Sequence, residues 1–88
     1  MNSQLTEEFI ALFARLPESV QNQARKNHRL WRSNPAHPSL HFKRIHGEDL
    51  YSVRVGLGWR AVGLVEGDTI YWNWIGSHGD YDKLLKQL

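Results

Sequence analysis

Hydrophobic and polar positions repeat along the chain with two periods, and the change falls near residue 40. Before it the spacing is helical. Phe9, Leu12, Phe13 and Leu16 stand at i, i+3, i+4 and i+7, which makes one apolar stripe on a helix. Thr6 is placed to cap its start, with Glu7 and Glu8 at the positive end of the helix dipole. Leu5 and Ile10 have the spacing of a hydrophobic staple across that cap. Pro17 ends this helix and can open the next. The second helix is expected from about Pro17 to Ser33, with Val20, Ala24, Leu30 and Trp31 toward one side. Arg25, Lys26, Arg29 and Arg32 lie mostly on the other. Asn34 to Ser39 reads as a rigid loop, because Pro35 disfavours helical geometry at Asn34.

From Leu40 onward the period is two. Leu40 to Ile45 alternates apolar and polar, and His46 to Asp49 reads as a turn. Tyr51, Val53 and Val55 then alternate with Ser52 and Arg54 up to Gly56-Leu57-Gly58, after which Trp59, Arg60 and Ala61 resume the pattern. A hairpin with those three residues as its loop puts Val55 opposite Trp59 and Arg54 directly opposite Arg60. Gly67-Asp68 marks a second tight turn, leading into a last strand over Ile70 to Ile75. Uninterrupted alternation places Ile70, Trp72 and Trp74 on the face of Val53, Val55, Trp59, Ala61 and Val65. The two helical stripes need an apolar surface, and this face supplies it. The other face then carries Ser52, Arg54, Arg60, Val62, Leu64, Tyr71, Asn73 and Ile75, half apolar and half cationic. Asp80 or Ser77 can cap a short closing helix from Tyr81 to Leu88. The expected fold is α+β: an N-terminal helical hairpin on a four-stranded, mainly antiparallel sheet, with a short C-terminal helix.

At 88 residues the chain is one domain, spanning residues 1–88, with a modest core. It has no cysteine, so neither a disulfide framework nor a thiolate metal site is available. The start lacks the basic and apolar regions of a signal peptide, and no stretch is apolar enough to span a membrane. A cytoplasmic protein is expected. Charge is distributed unevenly. Residues 1–44 hold seven Lys/Arg against three Asp/Glu, and residues 45–88 hold four against six. The basic excess beside the sheet suggests a polyanionic partner, or a solvated helix face.

Arg54 and Arg60 are the first candidates for chemistry. Like charges directly opposite each other in a sheet are destabilising, so the pair suggests a bound anion. Guanidinium groups keep their charge and bind phosphate bidentately. Alternatively the two splay into solvent, or pair with Glu48 or Glu66. His78 and Tyr81 leave the last strand where they can overhang this face, as proton-exchanging or stacking groups. Lys43 and Arg44, on the first strand, suit flanking phosphates or plain exposure, and one of them must face away from Phe42. The spacing of His37, His41 and His46 matches no standard metal motif, so no metal and no cofactor are expected. Trp31, Trp59, Trp72 and Trp74 read as core, and no P-loop, dinucleotide fingerprint or nucleophile elbow is present.

Three pieces in this order carry a resemblance. They are Tyr51-Ser52-Val53-Arg54-Val55, then Gly58-Trp59-Arg60-Ala61-Val62, and Ile75-Gly76-Ser77-His78-Gly79-Asp80-Tyr81-Asp82. With the helix–helix–sheet order around them, nearly the whole chain resembles the RelE/ParE superfamily of toxins from type II toxin–antitoxin systems. The resemblance implies a small basic toxin held inactive by a cognate antitoxin. RelE-like members cut mRNA in the ribosomal A site without a metal, whereas ParE-like members share the fold and poison DNA gyrase. Position by position, Arg54 and Arg60 match the family's central basic residues, and His78 matches the basic residue ending the last strand. Tyr81 is a looser match to the C-terminal tyrosine of RelE-like enzymes. Ser52 departs from the pattern, since some members are basic there. The resemblance thus implies a catalytic set of Arg54, Arg60, His78 and Tyr81, with Lys43, Arg44 and Asn73 binding RNA. A gyrase poison is the alternative.

Overall fold

The change of period becomes a change of layer in the structure, a computed structural model that describes residues 1–88. Two helices, α1 (Glu7–Ala14) and α2 (Glu18–Ser33), precede most of the sheet. Thr6 caps α1 by accepting a hydrogen bond from the Phe9 N–H, and Pro17 sits at the cap of α2. Leu5 and Ile10 both stay more than half exposed, so they form no closed staple.

The sheet has five strands in the order β1-β5-β4-β3-β2. These are β1 (Asn2–Leu5), β2 (Lys43–Arg44), β3 (Leu50–Val55), β4 (Trp59–Glu66) and β5 (Thr69–Ser77). The fifth strand, β1, corrects the expected four. It runs parallel to β5, with Asn2 opposite Thr69 and Leu5 opposite Trp72, and the remaining pairs are antiparallel. Backbone hydrogen bonds from Asn2 to Asp68 (2.8 Å) and from Thr6 to Trp72 (3.0 Å) tie its two ends. The expected first strand also shortens. Pro38–Leu40 forms a single 3₁₀ turn instead, capped by the His37 side chain, and only Lys43 and Arg44 pair with β3.

Both tight turns fall where glycine allows them. Gly56 (φ 65°) and Gly67 (φ 60°) take the left-handed conformations that open the β3–β4 and β4–β5 connections. Val55 pairs with Trp59 and Arg54 with Arg60, as the alternation predicts. Along β4–β5 the pairing holds from Glu66–Thr69 to Gly63–Trp72 and then shifts, with Val62 opposite Trp74. Asn73 is the extra residue of this β-bulge. The shift inverts every later side chain of β5 relative to unbroken alternation. Ile75, opposite Ala61, enters the helix-covered core, and Trp74 goes to the opposite face with Val62.

The main core lies between the helices and the sheet. It joins Phe9, Trp31, Leu40, Val53, Val55, Ala61, Ile70, Trp72 and Ile75. Trp31 packs edge-on against Trp72 and Phe42, with centroids 5.4 and 5.7 Å apart. An apolar cleft of about 340 Å³ remains under the helices, lined by Phe9, Phe13, Trp31 and Val53 among others. The last helix, α3 (His78–Lys86), covers part of the other face and makes a second small core. There Ile45, Val62 and Tyr81 are buried with Leu50, Trp74, Leu84 and Leu85 around them. Ser77 caps α3 through the Asp80 N–H, so this helix begins three residues earlier than expected.

Candidate functional site

The α3 side of the sheet holds the cationic residues. Arg54 and Arg60 are directly paired across β3–β4, and neither makes an ion pair. Arg60 is buried, only 7% exposed, and its Nη1 has no hydrogen-bond partner. Its Cζ lies 5.3 Å from the centroid of the Tyr81 ring. A cation over an aromatic face is attracted by about 0.5–2 kcal/mol, which does not balance desolvation of a guanidinium. An anion binding at Arg60 would supply the rest.

Tyr81 is fixed in turn. Its ring is buried at 3% exposure, and its hydroxyl donates to Ser52 Oγ at 3.1 Å. Ser52 is wholly buried, which fits a small neutral residue at this strand position. The engaged hydroxyl makes Tyr81 a shelf for Arg60 rather than an exposed proton donor.

His78 starts α3 beside the hairpin. Its backbone N–H donates to the Gly58 carbonyl at 2.8 Å. Its Nδ1 stands 3.4 Å from the Asp82 carboxylate one turn on, and its ring centroid is 6.2 Å from that of Tyr81. The imidazole is about half exposed, so it is oriented by Asp82 and open to a ligand. Gly76 pairs with Arg60, and a Cβ there would come within 2.7 Å of the Trp74 ring, so glycine leaves room for that ring.

The remaining sequence candidates divide. Lys43 pairs with Ser52 and therefore stands on the arginine face, exposed at its edge. Arg44 pairs with Tyr51 and stands on the other face. There it bridges to Asp49 at 3.2 Å and lies 6.0 Å from the Tyr51 ring centroid. The strand pleat thus separates it from Arg54 and Arg60. Asn73 sits at the bulge, out of the alternation that had placed it on the arginine face.

One residue of the cluster was missed. His41 feels the charges of Arg54, Arg60 and Lys43. First Arg54, then partial desolvation and the other two cations, hold its pKa below the ordinary histidine value. The sequence signal was slight: His41 stands two residues before Lys43, which pairs with Ser52. No cluster of three or more His, Cys, Asp or Glu side chains has the geometry to hold a metal ion. No helix is long and apolar enough to cross a membrane.

Residues 18–83, three quarters of the chain, match the ParE-like toxin domain. The chain belongs to that family. No curated protein sequence matches this ParE-like toxin domain. Its fold is shared with RelE in the RelB–RelE antitoxin–toxin complex from Methanococcus jannaschii, at TM-score 0.73 and 18% identity over 92% of this chain and 96% of that one. It is shared as well with the YoeB/ParE toxin from Agrobacterium tumefaciens, at TM-score 0.70 and 15% identity over 89% and 99%. The intact E. coli RelBE toxin–antitoxin complex matches at TM-score 0.66 and 18% identity over 85% and 93%. At these identities the likeness establishes the α+β fold of the ParE-like domain, including its mixed sheet.

Proposed function

We propose that this ParE-like domain is a ribonuclease toxin of a type II toxin–antitoxin system, cutting mRNA on the ribosome in the cytoplasm. The observation that carries this reading is the buried, acid-free Arg60 paired with Arg54 beside the exposed, Asp82-oriented His78. RNA supplies what such a site needs: an anionic phosphodiester with an adjacent 2′-hydroxyl.

In this mechanism the 2′-oxygen attacks the neighbouring phosphorus and the P–O5′ bond breaks, leaving a 2′,3′-cyclic phosphate and a 5′-hydroxyl. Arg54 and Arg60 neutralise charge developing on the phosphoryl oxygens. His78 serves in proton transfer, and Tyr81 holds Arg60 at the right height. Lys43 binds a flanking phosphate. Arg44, on the far face, has no part in the cut. The chemistry needs only these side chains, with neither metal nor cofactor. The relatives seen as RelB–RelE complexes support a cognate antitoxin as the protein partner.

The test is induced expression with mapping of transcript ends. The ribonuclease reading expects growth arrest and new 5′ ends in translated messages. Arg54→Ala or His78→Ala should slow cleavage by about 10²-fold or more and relieve the arrest, with the circular dichroism spectrum unchanged. Intact transcripts with DNA damage and filamentation would instead identify a ParE-like gyrase poison.

A further inference from the structure

We propose that His78 works through Nε2 as the base that takes the proton from the attacking 2′-hydroxyl, with Asp82 as the positioning residue that holds its Nδ1–H. The inference rests on the ribonuclease reading and assigns the working atom of the ring. The contact is direct. Nδ1 of His78 lies 3.4 Å from Oδ2 of Asp82, which is four residues on along α3 and so on the same side of the helix. Two further contacts fix the ring. The His78 backbone N–H donates to the Gly58 carbonyl at 2.8 Å, which ties the start of α3 to the loop between Arg54 and Arg60. The imidazole meets the Tyr81 ring edge-on, at 65° with centroids 6.2 Å apart, and Tyr81 is itself buried. Asp82 also stands four residues before Lys86, the spacing of a helical ion pair, yet its carboxylate pairs with His78 and not with that lysine.

A neutral imidazole carries one ring proton, and the partner of one nitrogen decides the state of the other. An ionised carboxylate only accepts, so Asp82 keeps the proton on Nδ1 and leaves the lone pair on Nε2. Without such a partner the proton of a solvated histidine resides mainly on Nε2, the atom that a base must keep free. The two side chains are 53% and 56% exposed, so water screens their attraction. The pair therefore acts through tautomer and orientation rather than through stability. The proton balance closes. Nε2 accepts the 2′-hydroxyl proton as the 2′-oxygen bonds to phosphorus, and the imidazolium forms against the Asp82 carboxylate. The electron pair of the P–O5′ bond leaves with the 5′-oxygen, which takes a proton from water. The hydroxide so formed takes the Nε2 proton and restores the ring.

The experiment uses the full chain, 70S ribosomes and a translated message, with cleavage followed by primer extension and kcat and KM separated. Asp82→Ala removes the carboxylate at an exposed helical position that alanine suits, so folding should be retained and is checked by thermal melting. The expected result is a loss of about 10-fold in kcat with KM unchanged, part of what a positioned proton acceptor contributes. Asp82→Glu, which keeps a carboxylate within reach of the ring, should restore most of the rate. In a His78→Ala chain, Asp82→Ala should cost nothing more, because its effect runs through the imidazole. Nitrogen NMR of the free chain, recorded above the ordinary histidine range of about 6.5, should find the His78 proton on Nδ1 in the wild type and moved toward Nε2 in Asp82→Ala. An Asp82→Ala chain with the wild-type kcat, or a wild-type ring protonated on Nε2, overturns the role of Asp82 and leaves the ribonuclease reading standing. Wild-type protein that leaves the message uncut overturns both.

Discussion

Tyr81 shows how little separates a structural from a chemical tyrosine. From the sequence it could have been a proton donor, but its hydroxyl is committed to Ser52 in a buried pair while its ring carries Arg60. The two functions separate by substitution. Tyr81→Phe keeps the ring and leaves Ser52 Oγ without its partner, so stability should fall by about 1–3 kcal/mol in urea unfolding while toxicity persists. Tyr81→Ala removes the shelf as well, and toxicity should fall with it. At this scale the arginine pair was legible, because a Gly-Leu-Gly loop between alternating arms fixes which residues face each other. His41 was not, because it lies just past the end of a two-residue strand in a conformation that no periodic pattern encodes.

Among the elements, glycine placement sets how closely layers approach. Gly63 sits at the edge of the bulge, and a Cβ there would stand 2.7 Å from Ile70 Cγ1 and 2.9 Å from Trp72 Cε3. Both neighbours belong to the main core, so neither yields easily. Gly63→Ala should cost about 1–3 kcal/mol, read as a lower urea midpoint with an unchanged slope. The helices, the two hairpins and their turns could be read from spacing and turn chemistry. Strand β1 could not, since four mostly polar residues show no alternation and their partner lies at the far end of the chain. The bulge was equally hidden. No glycine or proline marks Asn73, so unbroken alternation put Trp74 and Ile75 on each other's faces.

Across the whole molecule, β1, α2 and β5 are joined by one polar chain inside the apolar layer. Trp72 Nε1 donates to Ser3 Oγ at 2.9 Å, and Ser3 Oγ lies 2.9 Å from His28 Nε2. Burial, and secondarily Arg32, lower the pKa of His28. Unfolded histidine therefore takes up a proton before the native one does, and the unfolded state binds more protons below about pH 6.5. Stability should be flat in this respect above that value and decline as pH falls through the lowered native pKa, with His41 acting in the same direction. Urea unfolding at about pH 7.5 and 5.5 measures the decline. His28→Gln, which hydrogen-bonds but does not titrate, should make it shallower.

Asn73 does to the ribbon what a half-twist does to a belt. Six steps lead from Glu66 back to Arg60 on β4, and seven lead from Thr69 to its partner Gly76 on β5. The odd count is what turns Trp74 and Gly76 toward the arginines and hands Ile75 to the helices. A sibling chain with every motif intact but an even count would aim the same Ile-Gly-Ser-His exit at the wrong side of the sheet. Parity of the spacing between the last turn and that exit, rather than the motif itself, therefore distinguishes sequences able to assemble this cationic site from those that only look as if they do.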